Sequence, residues 1–258
     1  IVVRLVGSEM CIRDSDYKKT KLGYDFILLH EMGHEWWGNY LSVADWSDFW
    51  IHEGFDTYSE ALFVEDKYGR NKAIGFVKER FKKNIKNEHP IVMGENGTSQ
   101  HLAGNDVYYK GAHILHMLRY LLGDKVFKPT LKEFVQMPKE LGENQTSTKE
   151  FISLVNENTN SNLQWFFDVY IYQNKLPVLN IKETKGPKHS FADFWWENRN
   201  FKMPVEITYN GIDGKIRRRL ELDNDPMRIA FLTNSKYKLD PDSWLLFTTT
   251  KRKENIDQ

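Results

Sequence analysis

The chain has 258 residues, which is enough to bury the core of one or two domains. Lys and Arg together number 36, as do Asp and Glu, so the net charge is zero with neutral histidines, which argues against nucleic acid or an anionic membrane as the main partner. No stretch is long and apolar enough to predict a transmembrane helix, and one cysteine cannot form a disulfide framework.

Residues 1–15 are predicted to be a non-native segment. Residues 9–14 match the translation of the end sequence of a transposon-based sequencing adapter, and such segments are excluded from fold reasoning. On this interpretation the only cysteine, Cys11, is not native, and the native sequence begins near Asp16. The alternative is a genuine short strand at the start of the chain, followed by a loop.

Residues 26–37, FILLHEMGHEWW, predict a buried helix because apolar side chains fall on most of its sides. His30 and His34 are four residues apart and share one face of that helix, where two imidazole nitrogens can bind one metal ion. Glu31 points elsewhere and is predicted to be the general base that deprotonates a metal-bound water. The alternative for this motif alone is two buried histidines beside a surface glutamate.

A second helix is predicted over residues 49–69, and it supplies the third ligand. Glu53 follows the histidine motif after eighteen residues and leaves the fourth position of a zinc ion open. Asp56 and Glu60 fall on the same helical face and are candidates to orient the imidazole N–H groups, with ordinary solvated acids as the alternative. His52 is predicted to line the cleft or to pack locally.

The two zinc segments, HEMGHEWWGN and WIHEGFDTYSEAL, resemble those of the gluzincin aminopeptidases, the family of aminopeptidase N and leukotriene hydrolase. His52 departs from the family pattern, which usually has asparagine there. Residues 107–112, VYYKGA, resemble a further family segment whose tyrosine donates a hydrogen bond to the tetrahedral intermediate. The resemblance gives that role to Tyr108, whereas the residues alone favour a core aromatic.

The resemblance implies a thermolysin-like zincin fold, one Zn²⁺ ion and a peptide substrate with a free N-terminus. The family binds the substrate amine through a G-x-M-E-N loop ahead of the zinc helix, and this chain contains no such motif. We therefore assign no amine-binding role to Glu9. Two alternatives stay open: an endopeptidase or other hydrolase on the same scaffold, and a truncated zinc-binding fragment without activity.

The predicted fold class is α+β. Residues 16–174 are predicted to form a mostly helical catalytic domain, in which His113 and His116 are interpreted as packing or surface histidines. Residues 175–250 are predicted to form a small antiparallel β-sandwich, because short alternating segments are separated by turn signals, and residues 251–258 a polar tail. The resemblance favours the bacterial periplasm or cell envelope, with the cytoplasm open; no pattern indicates an oligomeric state.

Overall fold

The computed structural model describes residues 23–99, 102–137, 144–211, 214–233 and 235–255, so the predicted non-native segment lies outside it. Helices predominate up to Tyr170 and strands follow from Val178, which confirms the α+β class. None of the described helices is both long enough and apolar enough to cross a bilayer. The helices are α1 (Phe26–Gly33), α2 (Trp50–Tyr68), α3 (Arg70–Phe76), α4 (Asp106–Leu122), α5 (Asp124–Gln136), α6 (Thr148–Thr159) and α7 (Gln164–Tyr170).

Helix α1 carries the histidine motif and is shorter and more exposed than the sequence predicts. The Asp25 side chain caps it by accepting hydrogen bonds from the Ile27 and Leu28 amides, at 3.0 and 3.2 Å. The helix ends at Gly33, and none of its residues is fully buried. The prediction of a buried helix is wrong because, among the described residues, α1 packs mainly against α2, which leaves Leu28 and Met32 42% and 60% exposed.

Helices α2 and α4 form the most extensive helix pair, and two glycines set their separation. A Cβ atom on Gly54 would lie 3.0 Å from the Gly111 backbone, and one on Gly111 would lie 3.1 Å from the Gly54 Cα atom. A side chain at either position would push the helices apart. This close crossing brings Glu53, next to Gly54, towards Tyr108, which precedes Gly111 by about one helical turn.

The strands confirm the expected antiparallel sandwich, with one exception. They are β1 (Ser42–Val43), β2 (Gln145–Thr146), β3 (Val178–Lys185), β4 (His189–Trp196), β5 (Val205–Gly211), β6 (Gly214–Leu220), β7 (Met227–Leu232), β8 (Tyr237–Leu239) and β9 (Thr248–Asn255). One sheet has the order β7-β4-β3-β9 and the other β6-β5-β8. β9 runs parallel to β3, with Thr248 opposite Val178. Residues 251–255, predicted as part of a polar tail, are therefore a strand, because the outer edge of β3 offers them backbone partners.

A continuous hydrophobic core joins the helices to the sheets. The segment that leads into β9 lies against the helices, where the Leu246 carbonyl accepts a hydrogen bond from the Tyr170 hydroxyl at 2.9 Å. Trp244 stacks on His116 with ring centroids 4.0 Å apart. Since His113 and His116 are both buried in α4, they take the packing role expected for them.

Lys110, in the VYYKGA segment, is a buried residue whose positive charge lowers the stability of the folded state. Its side chain is fully buried in α4, and Nζ donates a hydrogen bond to the Gln173 carbonyl at 3.0 Å. Burial lowers the pKa of Lys110 from its ordinary 10.5 to about 8, while Asp106 opposes that shift. Below pH 8 the folded state carries the full cost of the buried charge, and as the pH rises from about 8 to 10.5 the unfolded state holds more protons, so stability rises.

We therefore expect Lys110→Met to raise the free energy of unfolding at pH 7 by about 1–3 kcal/mol. The variant should also lose the part of the stability rise between pH 8 and 10.5 that Lys110 causes. Urea unfolding at pH 7.5 and at pH 10 measures both effects, with the exposed Lys78→Met as the matched control. An unchanged pH dependence in Lys110→Met would contradict the expectation.

Candidate functional site

Side chains from α1, α2 and α4 line one cavity of about 450 Å³. It contains every residue predicted as a metal ligand or catalytic group: His30, Glu31, His34, Glu53 and Tyr108. A second cavity of about 430 Å³ shares His34 and Glu53 with the first. Size alone does not locate this site, because a larger cavity of about 560 Å³ near the end of α7 has no histidine on its walls. All five predicted residues therefore line the first cavity, and His34 and Glu53 also line the second.

One oxygen of Glu53 faces both imidazole rings. Its Oε2 atom lies 3.2 Å from His30 Nε2 and 3.6 Å from His34 Nε2. Two zinc ligands in tetrahedral geometry, with bonds of about 2.0–2.1 Å, stand roughly 3.3 Å apart. The separation of Glu53 Oε2 from each Nε2 atom is close to this value, as expected if the carboxylate shares a small cation with each imidazole.

The opposite nitrogen of each ring faces a buried carboxylate. His30 Nδ1 lies 3.3 Å from Glu60 Oε1, and His34 Nδ1 forms an ion pair with Asp56 Oδ2. Asp56 and Glu60 are 0% and 2% exposed, so the alternative that they are solvated acids is wrong. An N–H donated from Nδ1 to a carboxylate leaves the Nε2 lone pair free for a metal and holds the ring in place.

Gly33 makes the Asp56 contact possible. A Cβ atom at this position would lie 2.5 Å from Asp56 Oδ1, so a larger residue would displace the carboxylate. The turn that follows adds a second acceptor, because His34 Nδ1 also lies 3.0 Å from the Trp37 carbonyl oxygen. The glycine of the histidine motif thus allows α1 and α2 to approach at the point where His34 must be oriented.

The buried acids shift the proton affinity of both rings. Burial alone would lower the pKa of His30, but its hydrogen bonds to Glu53 and Glu60 raise it to about 10. Burial opposes the same effect at His34, where Asp56 raises the pKa to about 9. Without a metal, the site therefore retains positive charge on its imidazoles. A divalent cation would replace one proton on each ring and supply the same two positive charges.

The group of possible ligands selected by mutual distance alone contains Asp56 in place of Glu53. His30, His34 and Asp56 each offer an atom within 4.8 Å of the other two. Asp56 meets His34 through Nδ1, however, and it lines neither cavity, whereas Glu53 meets the Nε2 atoms and lines both. Because a hydrolytic metal needs an open position towards substrate, the donor set His30, His34 and Glu53 fits zinc better.

Glu31 and Tyr108 border the same space. Glu31 is half-buried on the cavity wall, one residue after His30. The Tyr108 ring lies 5.9 Å from the His30 ring, measured between centroids. Burial and the charge of Glu53 raise the pKa of Tyr108 above its ordinary value, so its hydroxyl stays protonated and can donate a hydrogen bond at neutral pH.

The structure adds residues that no motif indicated. Arg80 and Asn105 line the first cavity, and Trp46 and Phe49 line the second. The sequence around Arg80 and Asn105 carries no pattern that would single them out. Phe49, in contrast, falls on the same predicted helical face as Glu53, and Trp46 is one of several tryptophans close to the zinc motifs. His52 lines the second cavity, and its Nε2 atom accepts a hydrogen bond from the Val43 amide at 3.0 Å, so it lines the cleft as predicted.

Comparison with known proteins decides the family. The model of the peptidase family M1 domain matches residues 9–170. The chain belongs to this family. The match confirms the gluzincin resemblance and begins inside the segment predicted as non-native, so the boundary near residue 15 stays a prediction.

Relatives of this M1 chain are aminopeptidases of greater length. Aminopeptidase N of Lactococcus lactis subsp. lactis is 22% identical over 218 residues, which are 77% of this chain and 25% of that protein. Probable aminopeptidase 1 of Sulfurisphaera tokodaii is 22% identical over 87% of this chain and 29% of its own length. The chain thus spans about a quarter of the length of such relatives.

Solved structures show the same fold. Legionella pneumophila aminopeptidase A, crystallised with aspartic acid, aligns with a TM-score of 0.72 and 20% identity over 92% of this chain and 28% of that one. An M1 zinc metallopeptidase from Deinococcus radiodurans, bound to a Tyr-Ser-Ala substrate, aligns with a TM-score of 0.51 and 24% identity over 60% of this chain and 34% of its own.

Proposed function

We propose that the chain carries the catalytic centre of a zinc-dependent aminopeptidase, which releases N-terminal residues from peptides. The observation that carries the proposal is the shared orientation of His30 Nε2 and His34 Nε2 towards one oxygen of Glu53, on the wall of a cavity that also holds Glu31 and Tyr108. Family membership supports the peptide as substrate.

His30, His34 and Glu53 would hold the ion, with Glu60 and Asp56 fixing the two rings from behind. Zinc, when bound, supplies a Lewis acid that polarises the scissile carbonyl and lowers the pKa of water. Glu31 accepts the proton of the attacking water and later passes it to the departing amine. The Tyr108 hydroxyl donates a hydrogen bond to the oxyanion that develops on the carbonyl oxygen.

We expect Tyr108→Phe to lower kcat by about 10²–10³, the usual effect of removing one oxyanion donor. Zinc content should not change, because Tyr108 is not among the proposed ligands. Steady-state kinetics together with metal analysis measure both quantities. A variant that kept kcat within a factor of about two would assign Tyr108 to packing alone.

A pair of peptides that differ only at the N-terminus tests the exopeptidase part of the proposal. The zinc-loaded chain should hydrolyse the free peptide faster than its N-acetylated form, because acetylation removes the positive charge that the carboxylates on the cavity wall attract. Equal rates would indicate an endopeptidase. Zinc binding with neither peptide cleaved would indicate a fragment that binds metal without turnover.

A further inference from the structure

Arg80 is a cation in the cavity that contains the proposed catalytic groups. Among the described residues on the walls of that cavity, it is the only lysine or arginine. It lies on a π-helical turn, Val77–Phe81, that follows α3. π-Helical turns are rare in proteins, and those that occur are often found at functional sites.

In the part of the chain that the structure describes, neighbouring groups contact the Arg80 guanidinium but leave hydrogen-bond donors of the group without acceptors. The group lies 4.0 Å above the centre of the Phe26 ring and 5.9 Å from that of Tyr109. Its Nε atom is buried and, within the described structure, has no hydrogen-bond partner; Glu60 Oε2, 3.9 Å away, is also without one. Two opposite charges at that separation form a loose ion pair, which leaves most donors of the guanidinium available.

Neutralisation of the buried Glu60 is the simpler explanation for Arg80, but it accounts for only part of the arrangement. A residue selected to neutralise that carboxylate would be expected to form the short, paired hydrogen bonds that arginine makes with carboxylates, as Arg119 does with Glu65. Instead the Arg80 side chain is one-third exposed on the cavity wall, and its guanidinium lies over the aromatic ring of Phe26. That arrangement is suited to a carboxylate that arrives from the cavity.

We propose that Arg80 is a specificity-determining residue that binds the carboxylate of an acidic side chain flanking the scissile bond, so that acidic peptides are the preferred substrates. This inference rests on the proposed peptidase function. A charge-assisted hydrogen bond to arginine favours glutamate over its neutral isostere glutamine by about 10-fold to 100-fold.

Two pairs of peptides test the preference on either side of the bond. Glu-Ala-Ala amide is compared with Gln-Ala-Ala amide, and Ala-Glu-Ala amide with Ala-Gln-Ala amide, so that the side chain supplies the only carboxylate. We expect the ratio of kcat/KM for Glu over Gln to reach at least about 10 in one pair, and Arg80→Gln to bring that ratio close to one. The ratio is the readout, because a general loss transmitted through Glu60 affects both peptides equally.

Two variants serve as comparisons. Arg80→Lys keeps the charge without the planar fork and should retain part of the preference. Lys78→Gln removes an exposed positive charge two residues away and should leave the ratio as in the unmodified chain. A ratio near one in the unmodified chain for both pairs, or an unchanged ratio in Arg80→Gln, would overturn the proposal.

A binding measurement separates this inference from the proposed function. If no peptide is cleaved, the peptidase proposal fails by itself, and calorimetric titration of the zinc-loaded chain with L-glutamate and with L-glutamine still tests Arg80. Glutamate should bind about 10-fold more tightly, and Arg80→Gln should abolish the difference. Equal affinity of the unmodified chain for the two amino acids would count against a carboxylate site at Arg80.

Discussion

Glu31→Gln is expected to lower kcat by about 10²–10⁴, the contribution typical of a positioned general base. Glutamine has nearly the same shape as glutamate but cannot accept a proton, so the cavity and the metal donors should be unaffected. Since Glu31 is not among the proposed ligands, zinc should remain bound at one ion per chain. Steady-state kinetics and metal analysis of the same preparation measure both quantities.

The exposed Glu35→Gln, four residues further along the chain, is the matched control for loss of one negative charge near the site. It should retain the activity of the unmodified chain. Near-normal turnover in Glu31→Gln would remove Glu31 from the proposed mechanism, whereas loss of zinc from that variant would show that Glu31 acts on the metal site itself.

Glu53→Ala is expected to weaken zinc binding by about 10²–10³, the share of one donor in the total binding free energy of a protein zinc site. Glu53 is 6% exposed, and its carboxylate faces the Nε2 atoms of both His30 and His34. The variant should also lose hydrolytic activity at limiting zinc. Competition with a chromophoric chelator measures the affinity directly.

Asp56→Ala provides the comparison that decides which acid binds the metal. As a residue that orients His34 through Nδ1, Asp56 should contribute about 10–100-fold to zinc affinity. The larger loss should therefore occur in Glu53→Ala. The reverse order would assign the third donor to Asp56, in the group that simple proximity selects.

The zinc motif illustrates what a local pattern can predict. A four-residue spacing places His30 and His34 on one face of a helix in any fold, and the next helix repeats that logic for Glu53, Asp56 and Glu60. The burial of α1 could not be predicted in the same way. Apolar residues on a helix indicate that something can cover it, but which neighbour does so is a property of the packed molecule.

Arg80, in contrast to the zinc motif, could not be identified as a site residue from the sequence. No motif surrounds it, and its place on the cavity wall depends on a π-helical turn and on contacts with Phe26 and Glu60, which lie 54 and 20 residues away in the chain. Contacts of this kind arise only when distant helices pack. His52 is an intermediate case, because its position beside Glu53 was evident while its bond to the Val43 amide was not.

The sequence by itself determined the chemistry of the donors, because histidine and glutamate at helical spacing are sufficient to define a metal-binding face. It also determined the order of helices and strands, through the change of hydrophobic period near residue 175. Only the tertiary structure decided how these donors meet. The glycine crossing of α2 and α4 sets the distance between Glu53 and Tyr108, and Gly33 admits the Asp56 carboxylate behind His34. Both depend on the close approach of backbones that are distant along the chain, which no local pattern encodes.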